Sequence, residues 1–111
     1  MNAVLLNQAN IVTEENAVLS IEYYLVESDG DDQKKYGIQL LQKDLNSLKT
    51  CSASILELFE QKAETEEIIN ALAQGQVTIT TLRDVIQDAL NEKNISLLNA
   101  NYTEDTSPLA V

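Results

Sequence analysis

The side chains that could perform chemistry are few, and the first candidate group is the acidic turn Asp29–Asp32. Clustered carboxylates are oxygen ligands of the kind that calcium binds. An EF-hand loop also needs Gly at its sixth position and Glu at its twelfth. Counting from Gly30 places Leu25 at the first position and Tyr36 at the twelfth. We therefore interpret this segment as a solvated hairpin turn.

Cys51 is the single cysteine and a candidate nucleophile. The chain has no His, so the usual base for a thiol is missing, and the neighbours Thr50 and Ser52 are neutral. The same composition excludes intrachain disulfides, His-ligated metal sites and cysteine-rich zinc sites. We expect a buried or strand-edge thiol at this position.

The remaining carboxylates have simpler explanations than catalysis. Glu64, Glu66 and Glu67 lie in the first turn of a predicted helix, where the helix dipole favours acids. Asp84 and Asp88 are four residues apart and could hold a cation together, but like charges at that spacing otherwise repel weakly. No Gly-rich phosphate loop occurs in the sequence. The sequence therefore predicts no catalytic residue, no metal site, no cofactor and no enzyme activity.

Length and charge restrict the partners. A chain of 111 residues fits one domain, and 18 acidic against 7 basic residues give a net charge of −11. Because phosphates would be repelled, we expect no direct binding of nucleic acid.

The start of the chain lacks the basic residues of an export signal, and no apolar run is long enough to span a membrane. The expected location is the cytoplasm of a bacterium, or of a host reached by a phage.

Three segments have the composition of strands. Residues 18–27 are dense in β-branched and aromatic side chains, and residues 35–42 alternate apolar with polar, so the two predict a β-hairpin. Residues 51–59 fit either an alternating strand or a helical stripe. We favour a third strand.

Two helices follow, at residues 62–74 and 80–92. The first ends at Gly75, a common helix stop. The second has apolar residues at helical spacing and is predicted to begin with Thr80 or Thr81 as its cap. The predicted fold class is α+β, a small three-stranded antiparallel β-meander with two C-terminal helices packed on one face. Its expected core consists of Leu19, Ile21, Tyr23, Ile38, Leu40, Ile55, Ile69, Leu72, Leu82, Val85, Ile86 and Leu90.

The ends of the chain are expected to contribute little. Residues 1–17 are rich in Asn and Gln and are interpreted as a loosely attached N-terminal arm. Residues 18–93 then form the single α+β domain. Residues 94–111 have turn-prone composition and are interpreted as a flexible tail.

The order of segments resembles a family of short, uncharacterised bacterial proteins. The resemblance is carried by Ile21–Leu25, Lys35–Ile38 and Val77–Leu90 and covers about residues 18 to 90. It departs after Val77, where the family pattern tends to carry Pro and this chain has Thr78. The resemblance implies a hairpin-plus-helices domain and no catalytic activity.

The second face of the hairpin is the predicted partner-binding surface. Tyr24, Val26 and Leu41 point away from the helices, and that face is only half polar. These side chains are either exposed for a protein partner or a homodimer, or covered by the N-terminal arm folding back. Both alternatives stay open at this point.

The predicted function is a small acidic, non-enzymatic protein with an interaction or regulatory role. The alternative is an acidic nucleic-acid mimic that inhibits a DNA- or RNA-handling protein, such as a phage-encoded inhibitor. Mimicry requires acids concentrated on one face, because the average charge density of this surface is far below that of DNA. The residues that could form such a face are Glu57, Glu60, Glu64, Glu67, Asp84, Asp88 and Glu92.

Overall fold

The fold is known from a computed structural model, which describes residues 2–29, 33–92 and 101–108. These residues form five strands and two helices. The strands are β1 (Asn2–Val12), β2 (Val18–Asp29), β3 (Lys34–Asp44), β4 (Lys49–Phe59) and β5 (Asn101–Pro108). The helices, α1 (Lys62–Gln74) and α2 (Ile79–Glu92), lie between β4 and β5 in the chain.

All strand pairs are antiparallel, and the strands lie in the order β1-β2-β3-β4-β5. The α+β class and the hairpin of β2 with β3 are confirmed. Residues 51–59 belong to a strand, as favoured from the sequence, and both helices begin and end within one residue of the predicted positions. The expected number of three strands is wrong, because both terminal segments add a strand.

The first added strand is β1, which replaces the predicted N-terminal arm. It pairs with β2 from Asn2 to Val12, and its register shifts between Leu5 and Asn7. The side chains packed against the core are Leu6, Ala9 and Ile11, a spacing of three and then two. A bulge inserts one residue and interrupts the alternation by which a strand is identified. The arm therefore does not fold over the second face of the sheet but extends the sheet in its own plane.

The second added strand is β5, which replaces part of the predicted flexible tail. It pairs with β4 from Pro108 opposite Lys49 to Asn101 opposite Leu56. Its composition gives little strand propensity, so the pairing depends on the edge that β4 offers rather than on local preference. The rest of the predicted tail, at residues 94–100 and 109–111, lies outside the described residues.

The core lies between the sheet and the two helices. The inward faces of β1, β2, β3 and β4 pack against the helices, and eleven of the twelve predicted core residues are buried. Val85 was predicted to be buried but is 37% exposed. Since α2 buries Ile79, Leu82, Ile86 and Leu90, a narrow stripe along one side of the helix, Val85 lies at the margin of the buried face.

Two hydrogen bonds connect the start of α2 to the sheet. The Tyr23 hydroxyl donates to the carbonyl of Val77 at 2.8 Å, and the amide of Ile79 donates to Oε1 of Gln42 at 3.0 Å. Helix α2 begins at Ile79, so Thr80 and Thr81 are inside the first turn and the predicted cap is wrong. A side chain from β3 satisfies a free helical amide that local caps usually satisfy.

Candidate functional site: the open sheet face

Cross-strand register defines the face of the sheet opposite the helices, because residues directly opposite each other share a face. Tyr24 lies opposite Leu5 and Gln39, and Leu41 lies opposite Glu22 and Ser52. No helix of the described residues packs on this face, which we call the open sheet face. Its central members are Ala3, Leu5, Glu22, Tyr24, Val26, Gln39, Leu41, Lys43, Ser52, Ser54 and Leu56.

A hydrogen-bonded cluster lies at the middle of the open sheet face. The Tyr24 hydroxyl donates to Oε2 of Glu22 at 3.1 Å, and Nζ of Lys43 lies 3.6 Å from Oε1 of the same carboxylate. Burial of the phenol raises the pKa of Tyr24 above its ordinary value, and the hydrogen bond and negative charge of Glu22 raise it further. Because the carboxylate of Glu22 is paired with the ammonium group of Lys43, this part of the surface carries little net charge.

Beside the cluster is a shallow groove of about 190 Å³, lined by Ala3, Val26, Gln39, Ser54 and Leu56. This volume suits a single side chain rather than a drug-sized molecule, whose pockets are typically about 300 Å³ or more. Val26 is 2% exposed and lines the groove, whereas Tyr24 and Leu41 are half-buried. Of the three predicted residues, Val26 is thus buried rather than available as a projecting side chain.

Gly37 determines the shape of the sheet next to this groove. It lies opposite Val26, and the backbone of β4 passes close to its Cα. A Cβ at this position would lie 2.8 Å from Cα of Leu56 and closer still to the carbonyl oxygen of Ile55. Glu57, at the same irregularity, has a φ of 56°, in the left-handed region. Only glycine permits this close approach.

Five of the acidic residues predicted as an alternative surface lie on the two helices, whereas Glu57 lies near the end of β4 and Glu60 just after it. Glu57, Glu60 and Glu64 line one groove of about 360 Å³ together with Lys35. Glu64, Glu67 and Glu92 line a second groove of about 250 Å³ between α1 and α2. Asp84 and Asp88 are exposed on α2 and line neither groove. Five of the seven acids, Glu64 among them, therefore line the two grooves, and the other two line neither.

The sequence model of a protein family described as "Family of unknown function (DUF6514)" matches residues 2–92. This protein belongs to the DUF6514 family. The expected resemblance to uncharacterised proteins is confirmed, and the matched region begins at β1 rather than at residue 18. Comparison with curated proteins gave no match, and comparison with solved structures gave none either.

Sequence reasoning missed three apolar members of the open sheet face of this DUF6514 protein: Ala3, Leu5 and Leu56. The first two were assigned to the arm, and only the pairing of β1 with β2 places them beside Val26 and Tyr24. Leu56 follows Ile55, and the predicted place of Ile55 in the core leaves Leu56 on the opposite face by alternation. The alternation of Ser52, Ser54 and Leu56 on the opposite face to Ala53 and Ile55 is the signal that identifies it.

The other residues considered for chemistry, Cys51 and the acidic turn, are not among the central members of the open sheet face of the DUF6514 protein. Cys51 lies opposite Gln42, on the helix side of the sheet, and packs partly against the core. Within the described residues, no three His, Cys, Asp or Glu side chains are grouped closely enough to hold a metal ion. Residues 30–32 of the acidic turn lie outside the described part of the chain. None of the described helices is long and apolar enough to cross a membrane.

Proposed function

We propose that this DUF6514 protein acts without catalysis, as an interaction or regulatory protein that binds a protein partner through the open sheet face. The observation that carries the proposal is the half-burial of Tyr24 and Leu41 on a sheet face without a covering helix among the described residues. Antiparallel sheets tolerate one solvated face when that face is polar. Here the face also presents an aromatic ring, several aliphatic side chains and an apolar groove.

Charge supports a partner that binds by apolar contact. The chain carries −11 overall, but Glu22 on the open sheet face is paired with Lys43. Glu64, Glu67 and Glu92, which line the groove between α1 and α2, all lie on the helices. A protein surface that docks here would bury Tyr24 and Leu41, which line neither acidic groove. We call the acids that line those two grooves, Glu57, Glu60, Glu64, Glu67 and Glu92, the acidic helix surface. Tyr is a residue type that often dominates binding energy, since it buries a large area with few rotatable bonds.

The test is capture of partners from the native cell with the tagged protein, followed by affinity measurement on the partner recovered. Tyr24→Ala and Leu41→Ala are each expected to weaken binding by about 1 to 3 kcal/mol. Val85→Ala, a substitution of a partly exposed aliphatic residue on α2, serves as the matched control. Equal affinity of all four proteins for the recovered partner would contradict the proposed surface.

The second candidate function is nucleic-acid mimicry by the acidic helix surface. It is favoured by one observation, the two adjoining grooves that share Glu64 and gather five of the predicted acids. A partner of this kind would be a nuclease or a regulator with a basic nucleic-acid site. Its binding would depend on charge at Glu64 and Glu67 and not on Tyr24.

A further inference from the structure

Strand β1 is an end strand, and within the described residues nothing pairs with its outer edge. Eleven residues of extended chain present a row of outward backbone N–H and C=O groups about 36 Å long. Such an edge is a template for a further strand, and natural proteins usually protect it with charged side chains, Pro or a covering element.

Strand β1 carries little of that protection, in contrast to the opposite edge. Charged residues make up 23% of the chain, yet none of the eleven residues of β1 is charged and none is Pro. The other edge strand, β5, includes Glu104, Asp105 and Pro108 in eight residues. Among the described residues, a bulge between Leu5 and Asn7 interrupts this edge, and α1 packs against the inward face of β1 without pairing with its outer edge.

The side chains of β1 are also unusually apolar for an exposed edge. Val4 is 50% exposed, Leu5 is 47% exposed and Val12 is 68% exposed. Val4 points toward the helix side of the sheet, whereas Leu5 and Val12 point toward the open sheet face. Apolar surface therefore lies on both sides of the unpaired backbone edge.

We propose that the outer edge of β1 binds β1 of a second copy of this chain in antiparallel orientation, so that two five-stranded sheets join into one continuous sheet. Two-fold symmetry pairs the same edge with itself, which is the commonest geometry of homodimers. This interface uses the strand edge and leaves the open sheet face, the subject of the proposed function, free for another partner.

The absence of charged residues from β1 favours a second copy as the occupant despite the net charge of the chain. Two chains of −11 repel, and like charges opposite each other in a sheet are destabilising. Pairing β1 with itself places no ionised side chain of one edge strand opposite another. Glu14 and Glu15 lie in the turn after β1. In an antiparallel pair, these two acids of one copy lie at the opposite end of the interface from those of the other copy. An uncharged edge offers nothing to attract a basic partner, whereas it permits a like-charged copy to approach.

The first experiment is sedimentation velocity of the full chain from low to high micromolar concentration. We expect a monomer–dimer equilibrium, because a strand edge buries an area at the low end of specific interfaces. Val4→Lys adds a charge to the edge on the helix side, leaves the open sheet face unchanged and should weaken dimerisation by about tenfold or more. Val85→Lys, the same exchange at a partly exposed position on α2, should leave dimerisation unchanged.

Hydrogen exchange of the unmodified protein gives a second readout that needs no variant. Amides of β1 that point outward should exchange more slowly as concentration rises, whereas those of β5 should not change. A monomer at every concentration would overturn the proposal. So would a dimer that resists Val4→Lys and is lost in Tyr24→Ala, because that result assigns the interface to the open sheet face.

Discussion

The Tyr23 hydroxyl donates a 2.8 Å hydrogen bond to the carbonyl of Val77, across 54 residues of sequence. Tyr23 is fully buried on the inward face of β2, and Val77 lies in the short connection between α1 and α2. The bond therefore fixes the position of the helix connection on the sheet. With the bond from Ile79 to Gln42, it determines where α2 begins.

Tyr23→Phe is expected to lower the free energy of unfolding by about 1 to 2 kcal/mol, because the partly buried carbonyl of Val77 loses its donor. Urea denaturation followed by circular dichroism measures the change. The matched control is Tyr24→Phe on the open sheet face, where water reaches the half-buried side chain and the expected loss is smaller. If the two variants lose the same stability, the bond to Val77 is not a significant tertiary constraint.

Stability should fall at alkaline pH. Burial raises the pKa of Tyr23 from 10.0 to about 12. Below pH 10 both the folded and unfolded phenols are neutral, so the stability is fully present. Between pH 10 and 12 the unfolded state releases the proton while the folded state keeps it, which lowers the free energy of unfolding by on the order of 2 to 3 kcal/mol.

Denaturant midpoints measured at intervals from about pH 9 to about pH 12 test this linkage. Lysines also titrate in this range, so the informative quantity is the difference between the parent protein and Tyr23→Phe. That difference should shrink as pH rises and change sign by about pH 12, because the alkaline loss exceeds the advantage that the hydrogen bond gives at neutral pH. Parallel pH profiles would show that Tyr23 does not titrate abnormally.

Gly37→Ala should destabilise the protein by about 3 kcal/mol or more, because the added methyl would overlap the backbone of Ile55 and Leu56. Backbone atoms in a paired strand cannot move aside as a flexible side chain can. Gly75→Ala is the matched control, since its Cβ would meet nothing nearer than 3.4 Å and its φ of −80° suits any residue. We expect that change to be neutral or slightly stabilising. Similar losses at both glycines would refute the steric argument.

The sequence predicted the parts of the fold that depend on periodicity. The stripe of α2 and the alternation in β2 and β3 each define a buried face, and the core followed from them. The predictions that failed concern segments whose structure depends on tertiary contacts. A bulge hid the periodicity of β1, and β5 forms only where β4 provides an edge. The open sheet face was predicted for Tyr24 and Leu41, but its neighbour Leu5 required knowledge of strand order.

Helix α1 offers a site for stabilisation at its start. Its cap residue, Gln61, has extended dihedral angles (φ −117°, ψ 126°) but makes no side-chain capping hydrogen bond. Gln61→Ser should raise the free energy of unfolding by about 1 kcal/mol, because a Ser hydroxyl reaches the free amides of the first turn. Gln61→Ala removes the same side chain without supplying an acceptor and should give no gain. Equal stability of the two variants would count against this account.

Salt dependence separates the two proposed modes of partner binding, because the open sheet face would bind through apolar side chains and the acidic helix surface through charges. Binding through Tyr24 and Leu41 rests on apolar burial and should change little as salt rises from low to physiological strength. Binding through the acids should weaken steeply over the same range. The double variant Glu64→Lys with Glu67→Lys would then reduce affinity most, whereas Tyr24→Ala would not. We expect weak salt dependence with loss of affinity in Tyr24→Ala; the reverse pattern would assign the interface to the acidic helix surface.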